Sequence, residues 1–151
     1  MSQVFLDTNV LIYTLDQDEP AKQQQAGELL GKLAEEGSVL LSTQVLQEFY
    51  VVSTTKLRSP LSPERGRAAV AALTAFSIVT VTPEIVLAAV RLHQSERLSF
   101  WDSLIIQAAL SGGAELLYSE DLQSGRQFGR LQVENPFQDQ PLQDERGGGR
   151  G

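Results

Sequence analysis

A chain of 151 residues, 42% of them hydrophobic, can bury the core of one domain without covalent staples. It has no cysteine, which excludes disulfides, thiolate metal sites and cysteine nucleophiles and makes a reducing cytoplasm the expected compartment. The 12 Lys and Arg against 19 Asp and Glu leave a formal charge of −7, which counts against a module that holds nucleic acid by bulk positive charge but not against an enzyme whose carboxylates hold cations.

Residues 4–6 read as a short buried strand ending at Asp7, and the apolar run at 10–13 either opens a helix or forms a packed loop. After Pro20, residues 21–36 carry Ala26, Leu29, Leu30 and Leu33 at three- and four-residue spacing, an amphipathic helix that Gly37 ends. Residues 38–41 form the second strand. Ser42 or Thr43 can cap the next helix, which runs to about residue 57 with Val45, Phe49 and Val52 on one side. Pro60 and Pro63 interrupt the chain, and Ser62 before Pro63 opens an alanine-rich helix to about residue 76. Residues 78–81 predict a third strand, and Thr82 before Pro83 repeats the cap-then-proline signal for a helix to about residue 96. Another helix runs from about 101 to 110 and is closed by Gly112 and Gly113; residues 116–118 give a fourth strand, and a weak fifth lies at 131–134.

From Gln138 the chain is polar and glycine-rich, so residues 1–137 are expected as one domain and 138–151 as a disordered tail. No apolar run is long enough to span a membrane, and no basic leader precedes the first strand. Strands alternating with helices predict an α/β domain of three layers, a mostly parallel sheet of four or five strands between helices.

Open α/β sheets build their sites at the carboxyl ends of the strands. Asp7 follows the first strand, Glu120 and Asp121 follow the fourth, and Glu48 lies about two turns into the helix after the second. Asp102 sits in the first turn of a helix that follows another helix, where the helix dipole favours an acid by about 0.3–1 kcal/mol. Spacing alone does not bring it to the same edge. Converging carboxylates repel one another unless cations fill the cleft or some groups protonate. Hard oxygen ligands, with no cysteine and one histidine, point to Mg²⁺ or Mn²⁺ rather than zinc.

Each residue also has a plainer reading. Asp7 and Asp121 suit turns, Glu48 a solvated helix face, and Asp102 a helix start. Trp101 reads as a packing residue rather than a base-stacking platform. Lys56, Arg58, Arg65, Arg67, Arg126 and Arg130 either meet phosphates or form solvated basic patches.

The run from Val4 to Tyr13, with Asp7, Thr8 and Asn9 at its centre, resembles the opening of a PIN domain. The segments at 42–49, 100–109 and 117–125 resemble the family's second, third and fourth motifs, in order and over nearly the whole chain. PIN domains of this size are similar to VapC-type toxins of toxin–antitoxin pairs. That resemblance implies a ribonuclease dependent on Mg²⁺ or Mn²⁺, an RNA substrate that is often structured, such as tRNA, a cognate antitoxin and a tendency to form homodimers. It implies Asp7 and Asp102 as direct metal ligands, with Glu48 and Asp121 as additional or water-mediated ligands. Thr8, Asn9 and Ser119 would hydrogen-bond the carboxylates or waters, and the helix start at Asp102 belongs at the site.

Two alternatives stand beside it. One is a catalytically degenerate PIN-like domain that only binds RNA or protein. The other is a phosphatase-like hydrolase with Asp7 as covalent nucleophile. Against the latter, Asn9 stands where a second aspartate would be expected, and no partner lysine is evident downstream.

Overall fold

The structure, a computed structural model, describes residues 2–137; the tail expected at 138–151 lies outside the described residues. The elements run β1 (Gln3–Leu6), α1 (Thr8–Tyr13), α2 (Pro20–Glu36), β2 (Val39–Ser42), α3 (Thr43–Thr55), α4 (Pro63–Leu73), β3 (Ser77–Val79), α5 (Pro83–Ser95), α6 (Phe100–Ser111), β4 (Ala114–Tyr118), β5 (Gln127–Phe128) and β6 (Leu131–Glu134). Hydroxyl side chains start the helices as the sequence predicts, with Ser42 capping α3, Ser62 capping α4 and Thr82 capping α5. The apolar run at 10–13 belongs to a helix, which Asp7 caps by accepting the Thr8 N–H.

The strands form one sheet in the order β3-β2-β1-β4-β6-β5, parallel except for β5 against β6. The mostly parallel sheet is the expected one, with six strands among the described residues where the sequence predicts four or five. The addition is β5, a two-residue edge strand that turns back on β6 at Gly129 and Arg130. The other edge strand, β3, stops at Val79, two residues short of the predicted end. Beyond it the Val81 N–H leaves the sheet direction and bonds the Thr43 hydroxyl at 3.1 Å.

The chain passes from β1 to β2 and on to β3 in one direction; the right-handed crossover that parallel strands adopt puts α1–α4 on one face, where α1 packs on α2 and α3, and α3 on α4. The return from β3 to β4 places α5 and α6 on the other. Strands covered on both faces are apolar on both, so Phe5, Leu6, Leu41 and Leu117 are all fully buried.

The connection from α6 to β4 is short. A Cβ on Gly112 would lie 2.5 Å from Leu40 Cδ2 and 2.8 Å from Val79 Cγ2, so any larger residue there would force those side chains or the helix end to shift. Because α6 ends where β4 begins, it runs back along that strand. Its 12 residues span about 18 Å, close to the roughly 16 Å of a five-residue strand. The start of α6 therefore lies at the edge where β1 and β4 end. That edge is also where the strand order reverses, with β1's first connection running one way and β4 lying on its other side.

Candidate active site

Asp7 is buried at the end of β1, beside β4, its backbone N–H bonding the Tyr118 carbonyl at 3.0 Å. Both of its carboxylate oxygens accept hydrogen bonds, one from the Thr8 N–H at 2.7 Å and one from the Ser119 hydroxyl at 2.8 Å. Burial pushes its pKa up from 3.8 to about 7; the Ser119 and Thr8 bonds oppose that rise, and the charges of Asp121 and Glu48 add to it.

Glu48 reaches the same edge from the second turn of α3. One oxygen accepts the Thr8 hydroxyl at 2.7 Å, the other the Gln44 Nε2–H at 3.2 Å. Asp121, exposed on the loop after β4, accepts the Asn9 Nδ2–H at 3.0 Å, and its own N–H bonds the Ser119 hydroxyl at 3.2 Å. Asn9 also accepts the Glu120 N–H at 3.3 Å, so one amide clamps this loop through two groups.

Asp102 occupies the first turn of α6, its backbone N–H bonded to the N-cap Ser99 at 3.0 Å. Half-burial raises its pKa, the Ser99 hydroxyl opposes that rise, and the charges of Asp121 and Glu48 add to it. Gln44 Nε2 donates both to Glu48 and to the Trp101 carbonyl, which puts the start of α6, and Asp102 with it, beside Glu48. Asp7, Glu48, Asp102 and Asp121 thus come together, and Thr8, Asn9 and Ser119 each bond one or more of the first, second and fourth.

Glu120, the neighbour competing with Asp121 in the sequence, turns away. It accepts from Lys22 Nζ at 2.5 Å and from the Tyr13 hydroxyl at 2.6 Å. Burial would raise its pKa, but Lys22 and Tyr13 outweigh that and hold it below the usual range.

Sequence reasoning missed Gln44. Its Nε2 donates both to Glu48 and, at 3.3 Å, to the Trp101 carbonyl, tying α3 to the start of α6. Its Oε1 is buried without a partner among the described residues. Turning the amide over would point that oxygen at two acceptors, so the nitrogen belongs where it is. The available signal was spacing: Gln44 and Glu48 are four apart on one helix face.

Trp101 is a correction. It is 62% exposed, while Phe100 takes the packing position against Ile85, Ala89 and Leu104. Adjacent helical residues face about 100° apart, so only one of the two aromatics can point inward. Two of the candidate phosphate contacts are engaged elsewhere: Arg58 pairs with Asp18 at 3.2 Å, and Arg126 pairs with Glu96. Lys56 lines a cleft of about 650 Å³ that extends from Thr8, Asn9, Glu48 and Asp121 over Ile12, Val51 and Leu57.

Among the described residues, no three carboxylate, histidine or cysteine side chains are gathered into a ready metal cage. A small hard cation does not need one, since it binds one or two carboxylates and keeps several waters. The donor chemistry fits such an ion: all oxygen, with the charged forms of Asp7 and Asp102 disfavoured first by burial and then by neighbouring carboxylates, both of which a cation would offset.

The PIN domain family model matches residues 4–127. No match is found among curated proteins. Among solved structures, the chain is similar to a toxin–antitoxin complex from Klebsiella pneumoniae, with 22% identity, 91% of this chain and 100% of that one covered, and a TM-score of 0.65. It is similar to the DNA-bound VapBC complex of Salmonella typhimurium, at 18% identity, 90% and 99% coverage and a TM-score of 0.65. It also resembles VapC20 of Mycobacterium tuberculosis, described as a toxin that cleaves the sarcin–ricin loop, at 20% identity, 79% and 90% coverage and a TM-score of 0.62.

Proposed function

The chain belongs to the PIN domain family, and from that premise we propose that it is a divalent-metal-dependent ribonuclease, the toxin of a toxin–antitoxin pair. The observation that carries the reading is one hydrogen-bond network at the strand-order reversal of the sheet, in which Thr8, Asn9 and Ser119 link Asp7, Glu48 and Asp121 and Gln44 ties Glu48 to the start of α6, where Asp102 lies. Structural neighbours that are VapC toxins or toxin–antitoxin complexes support the toxin role. The proposed unit is residues 1–137, working in the cytoplasm on RNA, with structured RNA such as tRNA as the substrate class. Among the described residues no helix is long and apolar enough to cross a membrane.

In this reading Asp7 and Asp102 hold Mg²⁺ or Mn²⁺, with Glu48 and Asp121 as further or water-mediated ligands. Such an ion, when bound, supplies positive charge against a phosphodiester and makes water a better nucleophile. The side chains around it have separate tasks. Ser119 and the Thr8 N–H orient the two oxygens of Asp7. The Thr8 hydroxyl and Gln44 orient Glu48, so that carboxylate is fixed before substrate arrives. Asn9 holds Asp121 on an otherwise exposed loop. An Asp7 nucleophile is disfavoured, since both of its oxygens are hydrogen-bonded and the residue is only 5% exposed.

A protein partner has a place to sit. Between α3 and α4 lies an apolar groove of about 740 Å³ lined by Leu46, Tyr50, Val51 and Val70, with Tyr50 and Val51 exposed. An antitoxin covering it would also reach Val51 and Gln47, which line the carboxylate cleft as well. A homodimer completes the proposed assembly.

The test uses purified chain free of any partner, incubated with mixed cellular RNA. Cleavage in Mg²⁺ or Mn²⁺ that EDTA stops is the expected result. No cleavage in either metal would leave a degenerate binding domain as the better reading.

A further inference from the structure

Trp101 is the only tryptophan in the chain, and it stands 62% exposed on the first turn of α6, directly before Asp102. A single exposed aromatic is ordinary on a protein surface. This one is unusual in its anchorage and its position. Its ring meets Phe100 edge-on, centroids 5.1 Å apart and planes at 75°, and Phe100 is seated against Ile85, Ala89 and Leu104. Its carbonyl accepts from the buried Gln44 amide, which also holds Glu48. The backbone bearing the ring is therefore fixed relative to two of the carboxylates. Helical side chains lean toward the helix N-terminus, so a first-turn ring reaches toward the end of α6 that Gln44 ties to Glu48, beside the carboxylates and outside the lining of the cleft itself.

We propose that Trp101 is a stacking platform for a nucleobase of the RNA strand beside the scissile phosphate, an inference that rests on the ribonuclease reading. A strand opened for cleavage exposes unstacked bases, and a rigid indole covers a base face with little loss of side-chain freedom. A chain of net charge −7 gains little from bulk attraction of phosphates, and stacking supplies affinity that does not depend on charge. Because every base has a flat face, the platform would set the course of the strand at the cleft without reading its sequence.

The single tryptophan makes the test direct. Short single-stranded RNA oligonucleotides are titrated into the Asp7→Asn chain in Mg²⁺ while indole emission is followed, and cleavage kinetics are measured for the wild type, Trp101→Ala and Trp101→Phe. Saturable quenching is expected. Trp101→Ala should raise KM about ten-fold or more with a much smaller change in kcat, while Trp101→Phe stays within about three-fold of wild type. Emission unmoved at saturating RNA, or a wild-type KM in Trp101→Ala, overturns the proposal. So does a Trp101→Ala chain that changes only its oligomeric state or its hold on a protein partner, which would make the ring a protein contact. A wild type that neither binds nor cleaves RNA removes the ribonuclease reading and this inference with it. A wild type that cleaves while Trp101→Ala keeps its KM removes the stacking role alone.

Discussion

Asp7 concentrates the electrostatic tension of the site. Its pKa of about 7 in the fold, against the ordinary 3.8 of an exposed aspartate, means the folded chain binds more protons than the unfolded one across that interval. Stability of the metal-free chain should therefore fall as pH rises from about 4 to about 7, by an amount on the order of a few kcal/mol. Asp7→Asn removes the buried charge. In EDTA its melting temperature should exceed that of wild type at pH 8, and the gain should shrink to nothing near pH 4. A variant that melts lower than wild type at pH 8 would mean that the Asp7 charge stabilises the fold. Gln44 gives a complementary prediction. Gln44→Leu removes an unpartnered buried oxygen along with two hydrogen bonds, so stability should change little while cleavage falls roughly 10- to 100-fold, the usual effect of losing a group that orients a metal ligand. Thermal melts and initial rates on the same preparation check both halves.

At the scale of elements, the strand ends and helix caps were legible in the sequence because their causes are local. Val4 to Leu6 and Leu116 to Tyr118 are apolar runs that stop at polar turn residues, and both stop at the site. Asp102 was not placed by spacing, although the reason it belongs at the site is physical. The pair Gly112–Gly113 forces a tight return into β4, and the length of α6 then brings its start to the edge where β4 ends. The Ser99 cap, three residues before Asp102, also fits a recognisable helix-start pattern. The Gln44–Glu48 pair was legible as four-residue helix spacing, but the tie from Gln44 to Trp101 and the bonds of Tyr13 and Lys22 to Glu120 were not, because each joins segments far apart in the chain. Gly112→Ala tests the close approach: its Cβ would overlap Leu40 and Val79, so unfolding in urea should show a loss of about 1–3 kcal/mol. An unchanged midpoint would mean that α6 can shift without penalty, and with it Asp102.

Across the whole molecule, acidity is the organising fact. On the proposed ribonuclease reading, a chain of −7 must bring positive charge to the phosphate by some route other than its own side chains, and cations held by the carboxylates would supply it. Divalent ions should therefore stabilise the fold. At a concentration about 100 times its dissociation constant, Mn²⁺ should add roughly 2.7 kcal/mol, and Asp102→Asn should lose most of that gain. The same ions should leave a chain with Asp7, Glu48, Asp102 and Asp121 all neutralised unmoved.

The most direct measurement is the sequencing of RNA ends after brief induction of wild type beside Asp7→Asn and Asp102→Asn at equal protein levels. New ends at defined positions in one class of structured RNA, present for wild type and absent for both variants, are the predicted result. Identical ends in all three would contradict the claim that these carboxylates carry out the cleavage.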